Sequence, residues 1–261
     1  MSTTWLQFKK DYLFLTKYLL GQSLILLLLI AVLWQAPLID YQFAWNAWSL
    51  MLPPMWLILG IQLPVIMHNC IHGNFKTKIY NEILGESFGL YVLMSLRILR
   101  INHFLHHAHA DTKNDPHAPD EDSFFVYFFR AQITGSNVIE KHYLQFHGDT
   151  PRNRRIFTLN KILHYLGHPL RAMLWFVLLG PSLFLVLYVP SFMIYSMAFA
   201  HVNYITHQRN GENEVVIINK NNNYYYQFIN WIGMGVYFHK NHHQNPKLLN
   251  PKFASLNKRL V

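Results

Sequence analysis

The sequence predicts an all-α integral membrane protein with four transmembrane helices and a helical cap on one side of the bilayer. Charged residues make up 13% of the chain, about half of the roughly 25% found in soluble globular domains. Several apolar runs are long and uncharged, and every lysine and arginine can be placed on one side of the membrane. We interpret residues 1–261 as a single membrane domain.

Two apolar runs in the first quarter of the chain are long enough to cross a bilayer. Residues 18–36 and 47–67 each supply close to the ~20 residues that span the hydrocarbon layer. Residues 37–46 form the connector between them. Residues 83–99 are shorter and carry polar side chains, which predicts a helix at the membrane interface or against the bundle.

The apolar stretch 172–206 decides the topology. We expect a hairpin with legs 172–189 and 191–206 that turns near Pro190, because all 22 lysine and arginine residues then face one side. Loops rich in lysine and arginine stay in the cytoplasm, so both termini and the cap are predicted to be cytoplasmic. The cap comprises residues 68–171 and 207–261.

The formal charge of +9 follows from this topology, and we expect no binding to nucleic acid. Cys70 is the only cysteine, so no disulfide can form within the chain, and the cap is expected to face a reducing compartment.

Eight of the sixteen histidines form three clusters with helical spacing. Residues at i, i+3 and i+4 lie on one face of a helix. Imidazoles gathered on such faces at a membrane surface are unfavourable unless something binds them. We therefore predict that these histidines are metal ligands and that the cap holds a di-metal site. The clusters are His68 and His72; His103, His106 and His107; and His239, His242 and His243.

The number of ligands indicates two metal ions. Imidazole suits zinc, copper, iron and nickel. Zinc proteases need a glutamate after the first histidine, where this chain has Asn69, and structural zinc takes four ligands, often with cysteine. Eight or nine ligands fit two metals with open positions. Two iron ions that react with O2 as a co-substrate are the simplest use of such a site.

The three clusters resemble the histidine boxes of the membrane fatty acid desaturase and hydroxylase superfamily. The resemblance covers about residues 60–245, and it extends to the acidic loop after the second box and the proline after the third. Asn69 departs from the aspartate usual in the first box. The boxes HxxxH, HxxHH and HxxHH are matched by residues 68–72, 103–107 and 239–243.

The resemblance implies a di-iron oxidoreductase that uses O2 to desaturate a fatty acyl or lipid-like chain. The substrate would be a membrane lipid or an acyl group on a carrier. Electrons would come from a separate ferredoxin- or cytochrome-type donor with its reductase. No catalytic residue is predicted beyond the metal ligands.

The resemblance also implies a ninth ligand after the last crossing. His207 ends a segment, residues 203–207, that is similar to one in alkane-hydroxylase relatives, and His201 is its rival. Six residues turn a helix by about 240°, so only one of the two can face the site. We favour His207 because it lies closer to the cap.

Two alternatives remain open. Hydroxylation or ketolation of an alkyl, acyl or isoprenoid chain shares its first hydrogen abstraction with desaturation, so ligand residues do not separate these reactions. A histidine-rich metal transporter is the non-enzyme alternative, and it would need polar residues within its crossings.

The remaining polar residues receive simpler interpretations. His109 is expected beside the ligands or on the surface, and the acidic run 115–122 is expected to be a solvated loop that pairs with lysine and arginine. Five further histidines lack the box spacing and are expected at the surface or the membrane interface: His117, His142, His147, His164 and His168.

Overall fold

The computed structural model describes residues 3–35, 43–110, 112, 114–119, 123–209 and 215–254. These residues are helical almost throughout, which confirms the predicted all-α class. The described elements are α1 (Thr3–Lys10), α2 (Phe14–Trp34), α3 (Leu52–His72), α4 (Lys78–Tyr91), α5 (Leu96–His109), α6 (Phe124–His147), α7 (Pro151–Leu183), α8 (Val189–Thr206), β1 (His207–Arg209), β2 (Val215–Ile217), α9 (Tyr224–Ile232) and α10 (His239–Gln244).

Three helical segments of the described chain are long and apolar enough to cross a membrane: Phe14–Trp34, Ala47–His72 and Pro151–Thr206. Their outward faces carry large apolar side chains, such as Leu28 at 65% exposure and Val32 at 60%. Apolar faces of this extent match lipid rather than water. Residues 37–42, the larger part of the predicted connector, lie outside the described residues.

The segment Pro151–Thr206 folds back on itself at Gly180. A continuous helix would separate Trp175 from Tyr188 by about 20 Å, yet their rings stack with centroids 5.4 Å apart. Gly180 has φ 69° and ψ 164°, a backbone region that is essentially restricted to glycine. The predicted turn near Pro190 is wrong. Pro190 lies in the first turn of α8, where its missing N–H does not interrupt the helix.

The two legs of this hairpin pack on different partners. On the first leg, Asn160 accepts a hydrogen bond from Thr16 of α2 at 2.7 Å. On the second leg, Ser191 donates to the carbonyl of Trp56 in α3 at 2.9 Å. Helix α2 runs parallel to the first leg, and α3 runs parallel to the second leg. The histidine-bearing end of α3 therefore lies beside the end of α8.

Residues 83–99, predicted as one helix at the interface, instead belong to a helical hairpin. It consists of α4 and α5 and turns at residues 92–95. The tip is inserted between the two legs: Trp175 donates to the carbonyl of Leu90 at 3.0 Å, and Tyr188 donates to that of Tyr91 at 2.8 Å. Neighbouring helices cover both faces of α5. The second histidine cluster is therefore held in the interior of the protein.

A polar network at the level of this tip crosslinks four helices, α2, α4, α5 and α7. Glu86 of α4 accepts hydrogen bonds from Tyr18 and Gln22 of α2. Arg171, which is 3% exposed, donates to Gln22 Oε1 at 2.9 Å, and Arg97 lies 4.3 Å above the Tyr18 ring. Buried charges are stable only when they are paired or hydrogen-bonded in this way. The network ties the hairpin tip to α2 and α7.

The turn at Gly180 leads to a stability prediction. The variant Gly180→Ala should be less stable by about 1–3 kcal/mol, because alanine disfavours this backbone conformation. Thermal unfolding of the purified protein in detergent would measure the effect. Pro190→Ala is the matched control and should unfold close to the parent temperature. A larger loss of thermal stability in Pro190→Ala than in Gly180→Ala would contradict the placement of the turn at Gly180.

Candidate metal centre

The three histidine clusters lie on helical segments that end or begin in the cap. His68 and His72 occupy the last turns of α3, which terminates at Gly73 with φ 68°. The second cluster lies in the last two turns of α5, and the third makes up most of α10. The backbone at Gly73 turns the chain away immediately after His72. Both imidazoles are therefore left at the open end of the helix.

The first histidine group is centred on His103 and contains ligand atoms within 4.8 Å of one another. The His103 Nε2 atom lies 2.8 Å from Nε2 of His68 and 2.8 Å from Nε2 of His72. His107 adjoins this group, with its Nε2 atom 2.9 Å from that of His103 and 3.0 Å from that of His242. The first group comprises His68, His72, His103 and His242.

The second histidine group draws on three separate elements and has the same dimensions. His239 Nε2 lies 3.0 Å from His207 Nε2 and 3.1 Å from His243 Nε2. His243 Nε2 is 3.2 Å from His106 Nε2. The group comprises His106, His207, His239 and His243, so all nine predicted ligands lie in or against the two groups.

These distances are not those of a hydrogen-bond network. A neutral imidazole has one N–H donor and one acceptor nitrogen, so a single Nε2 atom cannot satisfy several others. His103 Nε2 nevertheless faces three nitrogens within 2.9 Å. Nitrogens bound next to each other on one metal at about 2.1 Å lie about 3 Å apart. The donor set and its spacing fit one cation in each group.

Burial keeps the imidazoles in the form that binds a metal. The pKa values of His103, His239 and His242 are lowered well below the ordinary value, with burial as the largest cause and neighbouring histidines adding to it. Burial likewise lowers the pKa of His107 to about 2. The rings are therefore neutral at pH 7, and neutral nitrogen is what a metal requires.

Asp115 orients one ligand of the second group. His106 Nδ1–H donates to Asp115 Oδ1 at 2.8 Å, and both side chains are fully buried. This bond fixes the tautomer so that the lone pair of Nε2 points into the group. The prediction that the acidic run is a solvated loop is wrong at Asp115, which is 2% exposed. Residues 120–122 lie outside the described residues.

Asn69 has a structural role beside the first group. Its Oδ1 atom accepts from Asn74 at 2.7 Å, and its Nδ2 group donates to the carbonyl of Leu249 at 3.3 Å. Asn74 also donates to the carbonyl of Pro246 at 3.0 Å. The two asparagines hold the segment after α10 against the end of α3. The first and third clusters are thereby joined.

His201 lies in neither group. Its Nδ1 atom is 2.6 Å from the hydroxyl of Tyr237, whereas His207 is 4% exposed and belongs to the second group. His117 contradicts its predicted surface position, since it is 8% exposed with its ring 5.3 Å from that of His106. Sequence spacing did not indicate this, because His117 shares no helix with the ligands.

Five other histidines outside the clusters are partly buried and packed on protein groups. His109 stacks on His142 with ring centroids 5.4 Å apart, and His147 donates to the carbonyl of Phe8 at 2.8 Å. His164 and His168 pack against each other on α7, with ring centroids 4.8 Å apart.

A mostly apolar cavity, here called the metal-facing cavity, ends on both histidine groups. Its walls come from α3, α8, α9 and the segment that follows α10, and they include Ile61, Val65 and Val202. Four histidines of the two groups reach its surface: His68, His103, His239 and His242. An apolar chain lying in this cavity would approach the metal positions of both groups.

A family model described as fatty acid desaturase matches residues 42–260 of the chain. The match includes all three clusters and His207. Neither a curated protein nor a solved structure matches the chain significantly.

The two rival histidines should differ in their effect on metal content. His207→Ala reduces the second group from four imidazoles to three, so the purified variant should hold less metal by elemental mass spectrometry. His201→Ala should retain the parent metal content, because the structure turns this ring towards Tyr237. Metal loss confined to the His201 variant would reverse the assignment.

Asp115 should matter for metal affinity although it lies behind a ligand. Asp115→Asn is expected to weaken metal binding at the second group by roughly 10- to 100-fold. Losses of this size are typical when a carboxylate that orients a metal-bound histidine is removed. Competition with a chromophoric chelator would measure the affinity. Asp149→Asn, an exposed carboxylate paired with Arg154, is the matched control and should bind metal like the parent protein.

Proposed function

The chain belongs to the fatty acid desaturase family, and on that premise we propose that it is a membrane di-iron oxidoreductase that uses O2 to desaturate a fatty acyl or similar lipid chain. When bound, two irons would supply the reduction of O2 and the removal of hydrogen from an unactivated CH2 group. Desaturation takes two electrons from the chain, whereas complete reduction of O2 to water takes four. A separate ferredoxin- or cytochrome-type donor with its reductase is therefore part of the proposal.

The observation that carries the proposal is the pair of adjoining histidine groups at the end of an apolar cavity. A structural zinc site would use four ligands and no open position. Here the donors are imidazoles alone, in two sets, and imidazole suits iron. The only cysteine, Cys70, is buried within α3 and belongs to neither histidine group. This donor set supports two metals open to O2.

The metal-facing cavity supports a long apolar substrate. Val65 and Val202 form apolar walls next to the ligands, and Tyr195 and Phe199 add aromatic surface. Such walls hold one CH2 group near the metals and exclude water from the reaction. Desaturation and hydroxylation share the first hydrogen abstraction, so the position of the second hydrogen relative to the metals would decide the product.

Helix α9 supports entry of the substrate from the bilayer. Tyr224, Phe228 and Trp231 are exposed by 90%, 54% and 77%, and their spacing puts them on one face of the helix. Ile229 of the same helix lines the metal-facing cavity. An aromatic face of this kind lies in the headgroup region of a membrane. The mouth of the cavity would then open where acyl chains are present.

We place four crossings in the membrane: α2, α3 and the two legs that meet at Gly180. In this topology the loops opposite the cap contain no lysine or arginine, and the cap is proposed to be cytoplasmic. Arg171 lies within the first leg, nine residues before Gly180, where it donates a hydrogen bond to Gln22. The parallel packing of α2 with the first leg and of α3 with the second supports this arrangement.

Product analysis tests the reaction. Expression with an electron donor in a lipid-rich host should yield chains that have lost two hydrogens, whereas a gain of one oxygen would indicate hydroxylation or ketolation. His68→Ala, His106→Ala and His242→Ala should each abolish the product, and His147→Ala should retain most of it. Metal binding without O2 consumption in the presence of lipid and reductant would instead support a metal transporter.

Labelling of introduced cysteines tests the topology. On a Cys70→Ala background, we expect a membrane-impermeant thiol reagent to label Asp40→Cys from outside the cell. Asp149→Cys and Lys252→Cys should be labelled only after permeabilisation, because both belong to the proposed cytoplasmic side. Labelling of Asp149→Cys and Lys252→Cys from opposite sides would refute the four-crossing arrangement.

A further inference from the structure

A second cavity lies on the other side of α8 from the metal-facing cavity. Tyr195 and Phe199 line both cavities and separate them. The second cavity has a volume of about 480 Å³, within the range of small-molecule sites. Its remaining walls come from α2, α5, α6 and α7, and they are largely aromatic and aliphatic. We call it the lateral cavity.

The lateral cavity contains a row of buried polar groups. Four residues that line it each carry one buried side-chain atom with no hydrogen-bond partner among the described residues. Two of the residues that carry these atoms are almost completely buried: Asn160 is 2% exposed and His117 is 8% exposed. Asn160 Oδ1 is occupied by Thr16, so its Nδ2 group is the free donor. The four atoms are Asn102 Oδ1, His117 Nε2, Asn160 Nδ2 and His164 Nδ1.

It is energetically unfavourable for a protein to leave these four buried polar atoms without hydrogen-bond partners. Each buried donor or acceptor that lacks a hydrogen bond costs about 1–3 kcal/mol. Isolated cases occur in many proteins, but four on the wall of one cavity indicate a common polar partner. Apolar walls with a few convergent polar groups are typical of a site for a small molecule.

We infer that the lateral cavity binds an amphiphile whose head carries an uncharged hydroxyl or carbonyl oxygen. A hydroxyl oxygen accepts from Asn160 and matches either tautomer of the two histidines, whereas a carbonyl oxygen accepts from Asn160 and from a histidine N–H. A carboxylate or phosphate would be buried without a counter-ion. Lys161 is the only lysine or arginine on the wall within the described chain, and it pairs with Glu140.

The entrance of the lateral cavity indicates that its ligand comes from the bilayer. Phe129 on α6 and Tyr165 on α7 belong to its wall and are 71% and 42% exposed. Phe125 and Ile133 extend the exposed apolar face of α6 beside this opening. The apolar body of the amphiphile would lie between α6 and α7, with its oxygen at the polar row. This site is distinct from the metal-facing cavity and does not depend on the proposed reaction.

Photolabelling of the full-length protein in lipid nanodiscs tests the inference. The probe is a diazirine analogue of hexadecanol, and its charged counterpart is the matching hexadecanoate. Peptide mapping should place the alcohol label on α6 and α7, at least about tenfold above the carboxylate label because of the burial of an unpaired charge. Competition with unlabelled hexadecanol or with an isoprenoid quinone would show whether the natural ligand is an acyl or an isoprenoid molecule.

Variants provide the controls. Ala131→Phe fills the cavity from α6 and should remove the label, whereas Ile133→Phe, on the exposed face of the same helix, should not. His164→Leu should weaken labelling several-fold. If the polar row were only a packing defect, His164→Leu would raise the thermal stability and leave labelling unchanged, which would overturn the inference. Equal labelling by the alcohol and the carboxylate, or labelling that persists in Ala131→Phe, would overturn it as well.

Discussion

The architecture depends on one constraint: nine imidazoles are held with their nitrogens about 3 Å apart and cannot satisfy one another. Protonation of the imidazoles does not resolve these close nitrogen contacts, because burial lowers the pKa of His103, His239 and His242 well below the ordinary value. A cation bound in each group would stabilise the closely spaced nitrogens. For the nitrogens to converge, the ends of α3, α5 and α8 must meet α10 at one point. The insertion of the α4–α5 hairpin between the two legs and the asparagine bridge from Asn69 to Leu249 meet that requirement.

The parts of the site that were predictable from the sequence are those determined by local helix geometry. Spacings of three and four residues put each cluster on one face of its helix, and the structure brings all nine residues together. Their division into two groups was not predictable. His103 and His106 belong to the same motif, yet they enter different groups. Which histidines share a metal is a property of the packing of four elements.

The failed predictions concern contacts between distant parts of the chain. Gly180 and Pro190 are equally plausible turn residues in an apolar run, and only the stacking of Trp175 on Tyr188 distinguishes them. Asp115 resembles the other acidic residues of its loop, and its role arises from the folded position of His106. The burial of the α4–α5 hairpin likewise depends on partners more than 70 residues away in sequence, such as Trp175 and Tyr188.

The distribution of ligands along the chain has a consequence for biosynthesis. When the ribosome has completed residue 209, three of the four imidazoles of the first group exist, namely His68, His72 and His103, together with the adjoining His107. The second group then has only His106 and His207. The last three imidazoles arrive together on α10, within the final tenth of the chain. The second group therefore remains incomplete until translation is almost finished, whereas the first group lacks only His242.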